Sequence, residues 1–247
     1  MSMVIKERLK RSELFSPLSP GQWEQLRPGI AIQEVAKNGI LFSQGQPFTH
    51  LYFLDEGIFK LGLEMAEGGE KIVHIVKAGE TFATALMFLD RKTYPVTAQA
   101  IKESTIIGVD AVLFRKILTS SPELCMTLLG DLSQRLSMHL GNINSNCLRN
   151  AQSRVARYLL EELPHDPYGH HMIQLEISKQ ILASLLSITP ETLSRSLGDF
   201  EKKKIIFMQN RQIQILDLKA LKNVAGLCTN GVEHPRRKTE KDKALFV

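Results

Sequence analysis

Three polar side chains at Glu191, Ser194 and Arg195 have the types and the spacing to contact the edges of DNA bases. A carboxylate can accept from the amino group of cytosine, a guanidinium can form a bidentate pair with guanine, and a serine hydroxyl can serve either base. Upstream, Lys179 and Gln180 suit phosphate oxygens, which fix the register of a protein on DNA without reading its sequence. Such chemistry needs elements that present one set of side chains to the bases and another to the backbone.

Two short helices joined by a tight turn are predicted around these residues. The first helix has apolar residues at helical spacing and is preceded by Ser178, a residue type suited to an N-cap. The second follows Thr189, a further N-cap candidate, and begins at Pro190, which suits a first helical position. Leu193 and Leu197 are predicted to hold the second helix against its domain.

This is the layout of a helix-turn-helix, whose second helix lies in the major groove. An ordinary amphipathic helix pair has the same pattern, so the flanking elements decide between the two interpretations. The predicted DNA-contact residues are Ser178, Lys179, Gln180, Thr189, Glu191, Thr192, Ser194 and Arg195. Ser196 is also predicted to face outward.

Length and composition set broad limits. The chain has 247 residues, a formal charge of +5 and a pI of about 9.1, which is compatible with nucleic acid but also typical of many enzymes. Cys125, Cys147 and Cys228 are widely spaced, which indicates neither a disulfide framework nor a cysteine metal site.

With no signal-peptide pattern and no membrane-length apolar run, we expect a soluble cytoplasmic protein. No nucleophile elbow, P-loop or HExxH motif indicates an enzyme, although an enzyme with an appended DNA-binding domain remains an alternative.

Ahead of the helix pair, the sequence predicts a β-rich domain and a long helix. Residues 30–109 form short alternating runs split by glycines, which is typical of a sandwich or barrel. A short helix to Thr119 and a long helix from Pro122 follow. The long helix carries apolar residues near heptad spacing, which favours pairing with a second subunit over packing on its own sheet. These seam residues are Cys125, Leu129, Leu132, Leu136, Leu140, Ile143 and Cys147.

Beyond the helix pair, a hairpin is predicted from residues 202–208 and 212–216, with a last helix at 217–227. The hairpin is the wing of a winged helix. The predicted fold is α+β: a β-roll (jelly-roll, cyclic-nucleotide-binding-like) domain, a dimerisation helix and a winged helix-turn-helix domain. The predicted domains are residues 1–120 (β-roll sensor), 121–148 (dimerisation helix, with a hinge near 145–150), 149–228 (winged helix) and 229–247 (a disordered charged tail).

This order of elements resembles the CRP/FNR superfamily of bacterial transcription regulators. The resemblance covers about residues 12–225 and is strongest in four motifs. They are Phe42-Ser-Gln-Gly-Gln46, Tyr52-Phe-Leu-Asp-Glu-Gly57, Gly79-Glu-Thr-Phe82 and Pro190-Glu-Thr-Leu-Ser-Arg195. It implies a homodimer that binds a palindrome in double-stranded DNA, with half-sites ~34 Å apart, and that contacts RNA polymerase. The pattern Glu191-x-x-Ser194-Arg195 is similar to that of FNR-type readers, which favour TTGAT half-sites, whereas the CRP type usually has glycine in place of Ser194.

The resemblance also bears on the signal. The charged anchors of the cyclic-nucleotide cassette are replaced by Ala83-Thr84-Ala85 and Tyr94-Pro95, so we do not expect cyclic AMP. The FNR iron-sulfur sensor needs an N-terminal cysteine cluster, and no cysteine precedes Cys125, so we expect no iron-sulfur cluster.

Residues 82–100 are very similar to the DNR, NnrR and HcpR branches, which answer nitric oxide or nitrosative stress and for which haem is the proposed sensor. Haem needs an axial ligand such as histidine or methionine; His139 is the candidate, ahead of His74 and His50. A small organic effector such as a 2-oxo acid, or a redox signal through Cys125 or Cys147, is the alternative. The predicted effector-pocket residues are Thr84, Ala85, Met87, Tyr94, Met138 and His139.

Overall fold

The computed structural model describes residues 3–65, 68–140, 150–164 and 171–226, and for residues 3, 131 and 134–140 it describes the backbone alone. The helices are α1 Met3–Leu9, α2 Pro20–Leu26, α3 Thr84–Phe88, α4 Ala111–Thr119, α5 Pro122–Leu140, α6 Ala151–Glu161, α7 Lys179–Leu185, α8 Pro190–Lys202 and α9 Leu218–Val224. The strands are β1 Ile30–Val35, β2 Ile40–Phe42, β3 His50–Glu56, β4 Ile58–Glu64, β5 Glu70–Lys77, β6 Thr81–Phe82, β7 Thr97–Ala100, β8 Ser104–Asp110, β9 Met172–Gln174, β10 Ile206–Gln209 and β11 Gln212–Ile215.

Two four-stranded antiparallel sheets form the β-roll, in the strand orders β1-β8-β3-β6 and β2-β7-β4-β5. Their inner faces share one apolar cluster to which both sheets contribute, for example through Leu54 and Ile106 on one side and Phe59 and Ala98 on the other. This arrangement, followed by the long helix and the winged helix, confirms the predicted α+β fold class.

Aromatic rings fill the interior of the roll. The ring of Tyr94 stacks on Phe42 with centroids 3.8 Å apart, and Tyr52 stacks on Phe82 at 5.5 Å. The Tyr94 hydroxyl donates to the backbone carbonyl of His50 at 2.9 Å and accepts from its N–H at 3.2 Å. Because its polar end is satisfied by backbone, Tyr94 can be 2% exposed without an unpaired hydroxyl.

The first helices and the start of α5 close one end of the roll. Trp23, Phe114 and Leu124 belong to a second apolar cluster, and Cys125 packs against it with its thiol donating to the Leu118 carbonyl at 3.2 Å. Cys125 is therefore partly buried against the core of its own chain, and its place in the pairing seam stays a prediction. Leu129 and Leu132 are exposed, whereas Ile143 and Cys147 lie outside the described residues, as do the side chains of Leu136 and Leu140.

The C-terminal domain packs α6, α7, α8 and α9 with a three-stranded sheet in the order β10-β11-β9. The hairpin begins at Ile206 and not at Lys202 as predicted, because α8 continues to Lys202 and the Lys203 N–H still donates to the Asp199 carbonyl. Lys204, with φ of +55°, then redirects the chain into β10. The predicted hinge lies almost entirely outside the described residues, and the predicted tail lies wholly outside them. Within the described ranges, no helix combines the length and apolar character needed to cross a membrane.

Gly57 provides a test of the roll, because its φ is +102° and an added Cβ would lie 2.1 Å from Ser104 Oγ and 2.7 Å from Ser104 Cα. Gly57→Ala combines backbone strain with a clash against buried backbone, so we expect it to lower the free energy of unfolding by about 3 kcal/mol or more. Urea unfolding measures this loss.

Gly45 supplies the matched control, since its φ is +83° but the space around it is open to 4 Å. We expect Gly45→Ala to cost only the left-handed strain, about 1–2 kcal/mol. Equal losses in the two variants would contradict the described packing against Ser104.

Candidate nucleic-acid interface

The helix pair is built by two side-chain caps and a tight turn. The Ile181 N–H donates to Ser178 Oγ at 3.2 Å, which caps α7 as predicted. The Thr192 N–H donates to Thr189 Oγ1 at 3.2 Å, which caps α8, and Pro190 occupies its first turn. Each hydroxyl satisfies a backbone N–H that a helix start leaves without an intrahelical partner.

The turn between the helices is held by backbone and by one arginine. Ser187 adopts a φ of +53°, and the following Ile188 N–H donates to the Ala183 carbonyl at 3.0 Å. Arg154 on α6 donates from Nη1 to the Ser187 carbonyl at 3.2 Å. The turn is therefore held by one contact from α7 and one from α6.

One face of α8 is buried and fixes its orientation. Leu193, Leu197 and Phe200 are 0%, 1% and 0% exposed, in the cluster that contains Val155 and Leu159 of α6. This confirms that Leu193 and Leu197 seat the helix. Asp199, one residue before Phe200, also accepts from Gln152 Nε2 at 3.0 Å.

The opposite face of α8 is open. Glu191, Ser194 and Arg195 are exposed, and none of the three forms an ion pair with another residue that the structure describes. Lys179 and Gln180 are exposed at the start of α7, whereas Ser178, Thr189 and Thr192 take part in the caps. The structure thus gathers the predicted contact residues at the N-terminal ends of two adjacent helices.

Ser196 does not face outward as the sequence suggested. It is 3% exposed, and its hydroxyl donates to the Thr192 carbonyl one turn earlier at 2.9 Å. It lies on the same helical stripe as Leu193, Leu197 and Phe200, where a serine can be buried because the helix's own carbonyl satisfies its hydroxyl.

The electrostatics at the start of α8 keep Glu191 ionised. Its own backbone N–H, followed by the Thr189 hydroxyl, lowers the pKa of the Glu191 carboxyl, and the positive end of the helix dipole favours the same charge. An ionised carboxylate is an acceptor only, which suits the amino group of cytosine and disfavours acceptor edges.

Cations of the wing were not assigned by the sequence analysis. Arg211 is exposed in the turn of the β10–β11 hairpin, where Asn210 has a φ of +57°, and Lys203 and Lys204 are exposed at the end of α8. These side chains suit phosphate contacts. The signal that could have found them was the run of three lysines followed by a two-residue hairpin turn containing arginine.

The predicted effector residues are only partly brought together. Thr84 is half-buried and Ala85 exposed on α3, but Met87 is 3% exposed in the cluster under α4, and Tyr94 is held in the aromatic stack. The side chains of Met138 and His139 lie outside the described residues. The two minor candidates lie elsewhere: His74 on β5 has Nε2 3.8 Å from Glu80 Oε2, and His50 on β3 has Nδ1 2.9 Å from Thr49 Oγ1.

Both halves of the chain match family models. Residues 32–121 match the cyclic nucleotide-binding domain, and residues 153–224 match the Crp-like helix-turn-helix domain. The two matches fall on the β-roll and on the domain that carries α7 and α8.

Relatives extend the similarity over the whole arrangement. The structure of DNR from Pseudomonas aeruginosa is 34% identical, covers 91% of this chain and 99% of its own, and superposes with a TM-score of 0.54. The CRP-like cAMP-activated global transcriptional regulator of Mycobacterium tuberculosis is 23% identical over 88% of this chain and 98% of its own length. FixK2 from Bradyrhizobium japonicum, 20% identical over 81% of this chain and 99% of its own, shares the fold with a TM-score of 0.66.

These findings confirm the resemblance on which the sequence analysis relied, including its nearness to DNR. A cyclic-nucleotide-binding-type roll precedes a capped helix-turn-helix with an exposed second helix, and a relative matches at 34% identity over almost the whole chain. The chain therefore belongs to the CRP/FNR family of DNA-binding transcription regulators.

Proposed function

We propose that this regulator acts as a homodimer, binds a palindrome with TTGAT half-sites, and changes its DNA affinity when an effector binds between the roll and α5. The observation that carries the DNA-reading part is the exposed trio Glu191, Ser194 and Arg195 on a helix whose other face is fully buried. Contact with RNA polymerase is part of the proposal through the family resemblance alone.

The choice of half-site depends on the chemistry of that trio. Arg195 is not engaged by any described carboxylate, so both guanidinium donors that a bidentate pair needs are available for guanine O6 and N7. Glu191 is an ionised acceptor for cytosine. Ser194 stands where CRP-type readers usually have glycine, which is the residue difference that supports an FNR-like half-site.

Arg195→Ala removes the bidentate donor, so we expect it to relax selectivity at the guanine of each half-site by ~1–3 kcal/mol. Competition binding between the TTGAT palindrome and single-base variants measures the change. The Arg195→Lys protein is the matched control: it keeps the charge but not the fork geometry, and we expect it to bind DNA with similarly weak selectivity.

Lys179→Ala tests the phosphate assignment. We expect it to weaken binding uniformly across sequences and to reduce the salt dependence of binding, without altering selectivity.

An Arg195→Ala protein that still preferred the intact palindrome by the wild-type ratio would contradict the assignment of α8 as the reading helix.

The dimer part of the proposal depends on α5. Met126, Leu129 and Leu132 are 68%, 54% and 63% exposed, which is unusual for large apolar side chains on one helix of a soluble domain. Two of them, Leu129 and Leu132, occupy the predicted heptad seam. A second copy of the same helix buries such a seam by knobs-into-holes packing.

Leu132→Glu places a charge in that seam, so we expect the protein to become monomeric and to lose its preference for a palindrome over a half-site. Sedimentation velocity measures the oligomeric state. Thr127→Glu adds the same charge at another exposed position of α5 and serves as the control, which we expect to remain dimeric. A dimeric Leu132→Glu protein would contradict the seam.

We propose that the effector is not cyclic AMP, because the charged side chains that would bind it are absent. The position that holds the phosphate-pairing arginine in the family cassette is Tyr94 here, and Tyr94 is buried in a stack on Phe42. The position of the ribose-binding carboxylate is Thr84. A cyclic nucleotide would therefore find neither an opposite charge for its phosphate nor an acceptor for its ribose hydroxyls.

We propose nitric oxide or nitrosative stress as the signal, with haem as the sensing group and His139 as its axial ligand. The described residues of the pocket do not themselves fit haem, since Met87 is buried in the core and the ring of Tyr94 is stacked on Phe42. The minor candidate His74 lies on β5 beside Glu80. The haem proposal therefore depends on His139 and on the resemblance to the DNR branch. A small organic effector in the same place, or a redox signal, is the alternative.

A visible absorption spectrum decides between these signals. We expect haem added to the reduced protein to give a sharp Soret band that shifts with nitric oxide and weakens in His139→Ala. His74→Ala serves as the control histidine and should leave the band unchanged. A band identical to that of free haem would overturn the haem proposal and favour the organic effector.

A further inference from the structure

The tip of the β10–β11 hairpin is built from amide side chains and one arginine. Gln209 ends β10, Gln212 begins β11, and the two-residue turn between them is Asn210-Arg211. Gln174 of β9 lies in register beside Gln212, so that three glutamines form a row across the sheet. All five residues are exposed. We call Gln174, Gln209, Asn210, Arg211 and Gln212 the wing tip.

The opposite face of this sheet is buried and fixes the direction of the wing tip. Ile173, Ile206 and Ile213 are 2%, 1% and 0% exposed and belong to the apolar cluster of the C-terminal domain. Because side chains alternate between the two faces of a strand, the three glutamines of the row point away from this core. Asn210 then turns the chain with a φ of +57°, a conformation that asparagine adopts more readily than most residues.

Two contacts outside the hairpin position the wing tip relative to the helix-turn-helix. The Leu175 N–H donates to the Arg211 carbonyl at 2.8 Å, and Leu175 lies just ahead of Ser178, the cap of α7. The Met208 N–H donates to Glu201 Oε1 in the last turn of α8 at 3.0 Å. The backbone of the wing tip is therefore tied to both helices of the pair.

The length of the connecting chain puts a second groove of the DNA within reach. Leu175, which binds the Arg211 carbonyl, is separated from the phosphate-contact candidate Lys179 by at most ~14 Å of extended chain. Neighbouring major and minor grooves lie half a helical turn apart, about 17 Å along the duplex. With α8 in the major groove, Arg211 is thus placed to extend into the minor groove beside it.

The chemistry of the wing tip suits the floor of an A·T minor groove. Both A·T and T·A pairs present only acceptors there, whereas a G·C pair adds the amino group of guanine. Arginine is a donor only, and each glutamine or asparagine amide supplies donors as well. Proteins that bind the minor groove use these side chains, and the negative potential of a narrow A·T groove attracts arginine. Arg211 forms no ion pair with another residue that the structure describes, so its guanidinium is available.

A phosphate contact is the other interaction open to Arg211. It would strengthen binding to every sequence alike, because phosphates carry no sequence information. Lys203 and Lys204 are exposed at the end of α8 and already suit that role. The amides around Arg211 favour the groove floor, since positions that needed only positive charge would be served by lysine.

We propose that Arg211 enters the minor groove beside each half-site and that the wing tip makes the regulator prefer A·T pairs there. These pairs lie about five base pairs, half a helical turn, from those that face α8. The inference rests on the proposed function, since it adds a second reading element to the palindrome that α8 reads.

The test uses the full-length protein and three duplexes with the same TTGAT palindrome. They differ only in the pairs beside the half-sites, which are A·T, G·C or inosine·cytosine. Inosine lacks the 2-amino group of guanine, so an inosine·cytosine pair matches A·T in the minor groove and G·C in the major groove. We expect the A·T and inosine·cytosine duplexes to bind alike, and both about fivefold or more tighter than the G·C duplex. Competition measured by fluorescence anisotropy gives these ratios.

Arg211→Ala removes the side chain that enters the groove, so we expect the three duplexes to bind it alike while TTGAT is still preferred over a scrambled palindrome. Lys203→Ala is the matched control, because it removes an exposed cation of the same domain. We expect Lys203→Ala to weaken all three duplexes by the same factor and to keep the wild-type ratios.

Three results would overturn the proposal. An inosine·cytosine duplex that bound as weakly as the G·C duplex would place the preference in the major groove. Wild-type ratios retained in Arg211→Ala would assign the preference to DNA bending. A uniform loss of affinity in Arg211→Ala, with the ratios kept, would reduce Arg211 to a phosphate contact.

Failure of the proposed half-site gives a different result. Wild-type protein that bound the intact and the scrambled palindromes equally would overturn the TTGAT assignment. The ratio between A·T and G·C flanks in the wild-type and Arg211→Ala proteins would then still decide for or against the wing tip.

Discussion

The burial of one stripe of α8 is the interaction on which the orientation of this helix depends. Leu193, Leu197 and Phe200 are almost completely buried against α6, and burial of each such side chain contributes roughly 1.5–3 kcal/mol. Because a helix presents opposite faces to core and solvent, fixing this stripe also fixes the direction of Glu191, Ser194 and Arg195. The caps at Ser178 and Thr189 add little to the apolar contact area, but they set where each helix begins, and so which residues lie in its first turn.

Most of this arrangement could be predicted from the sequence, because its signals are local. Helix caps at Ser178 and Thr189, proline at the first turn of α8, and apolar residues at helical spacing each act within a few residues, and the structure confirms them. The strand pattern of the roll was also predictable from alternation and glycine spacing. The exposure of Glu191, Ser194 and Arg195 followed from these elements, since the face of α8 opposite its apolar stripe had to face solvent.

The errors have a common physical origin in contacts that sequence spacing does not show. Ser196 was judged by its polarity, but its position on the apolar stripe and a carbonyl one turn earlier allow it to be buried. Cys125 fits the heptad spacing, and the structure adds contacts that this spacing does not show, with the Leu118 carbonyl and the cluster at the end of the roll. Tyr94 was predicted to line a pocket from its alignment with a ligand-binding position, and its stack on Phe42 could not be seen from that alignment.

That stack has a further consequence for how a signal can be received. Tyr94, where the resemblance places a phosphate-pairing arginine, is part of the roll's own core, so the interior is closely packed without an effector. The exposed parts of the roll and its flanking helix include Ala85 of α3, Leu129 and Leu132 of α5, and the edge strand β5. Strand β5 also contacts α7, through the bond from the Ile72 N–H to Ser184 Oγ, so it is the edge of the roll, and not its aromatic interior, that meets the helix-turn-helix.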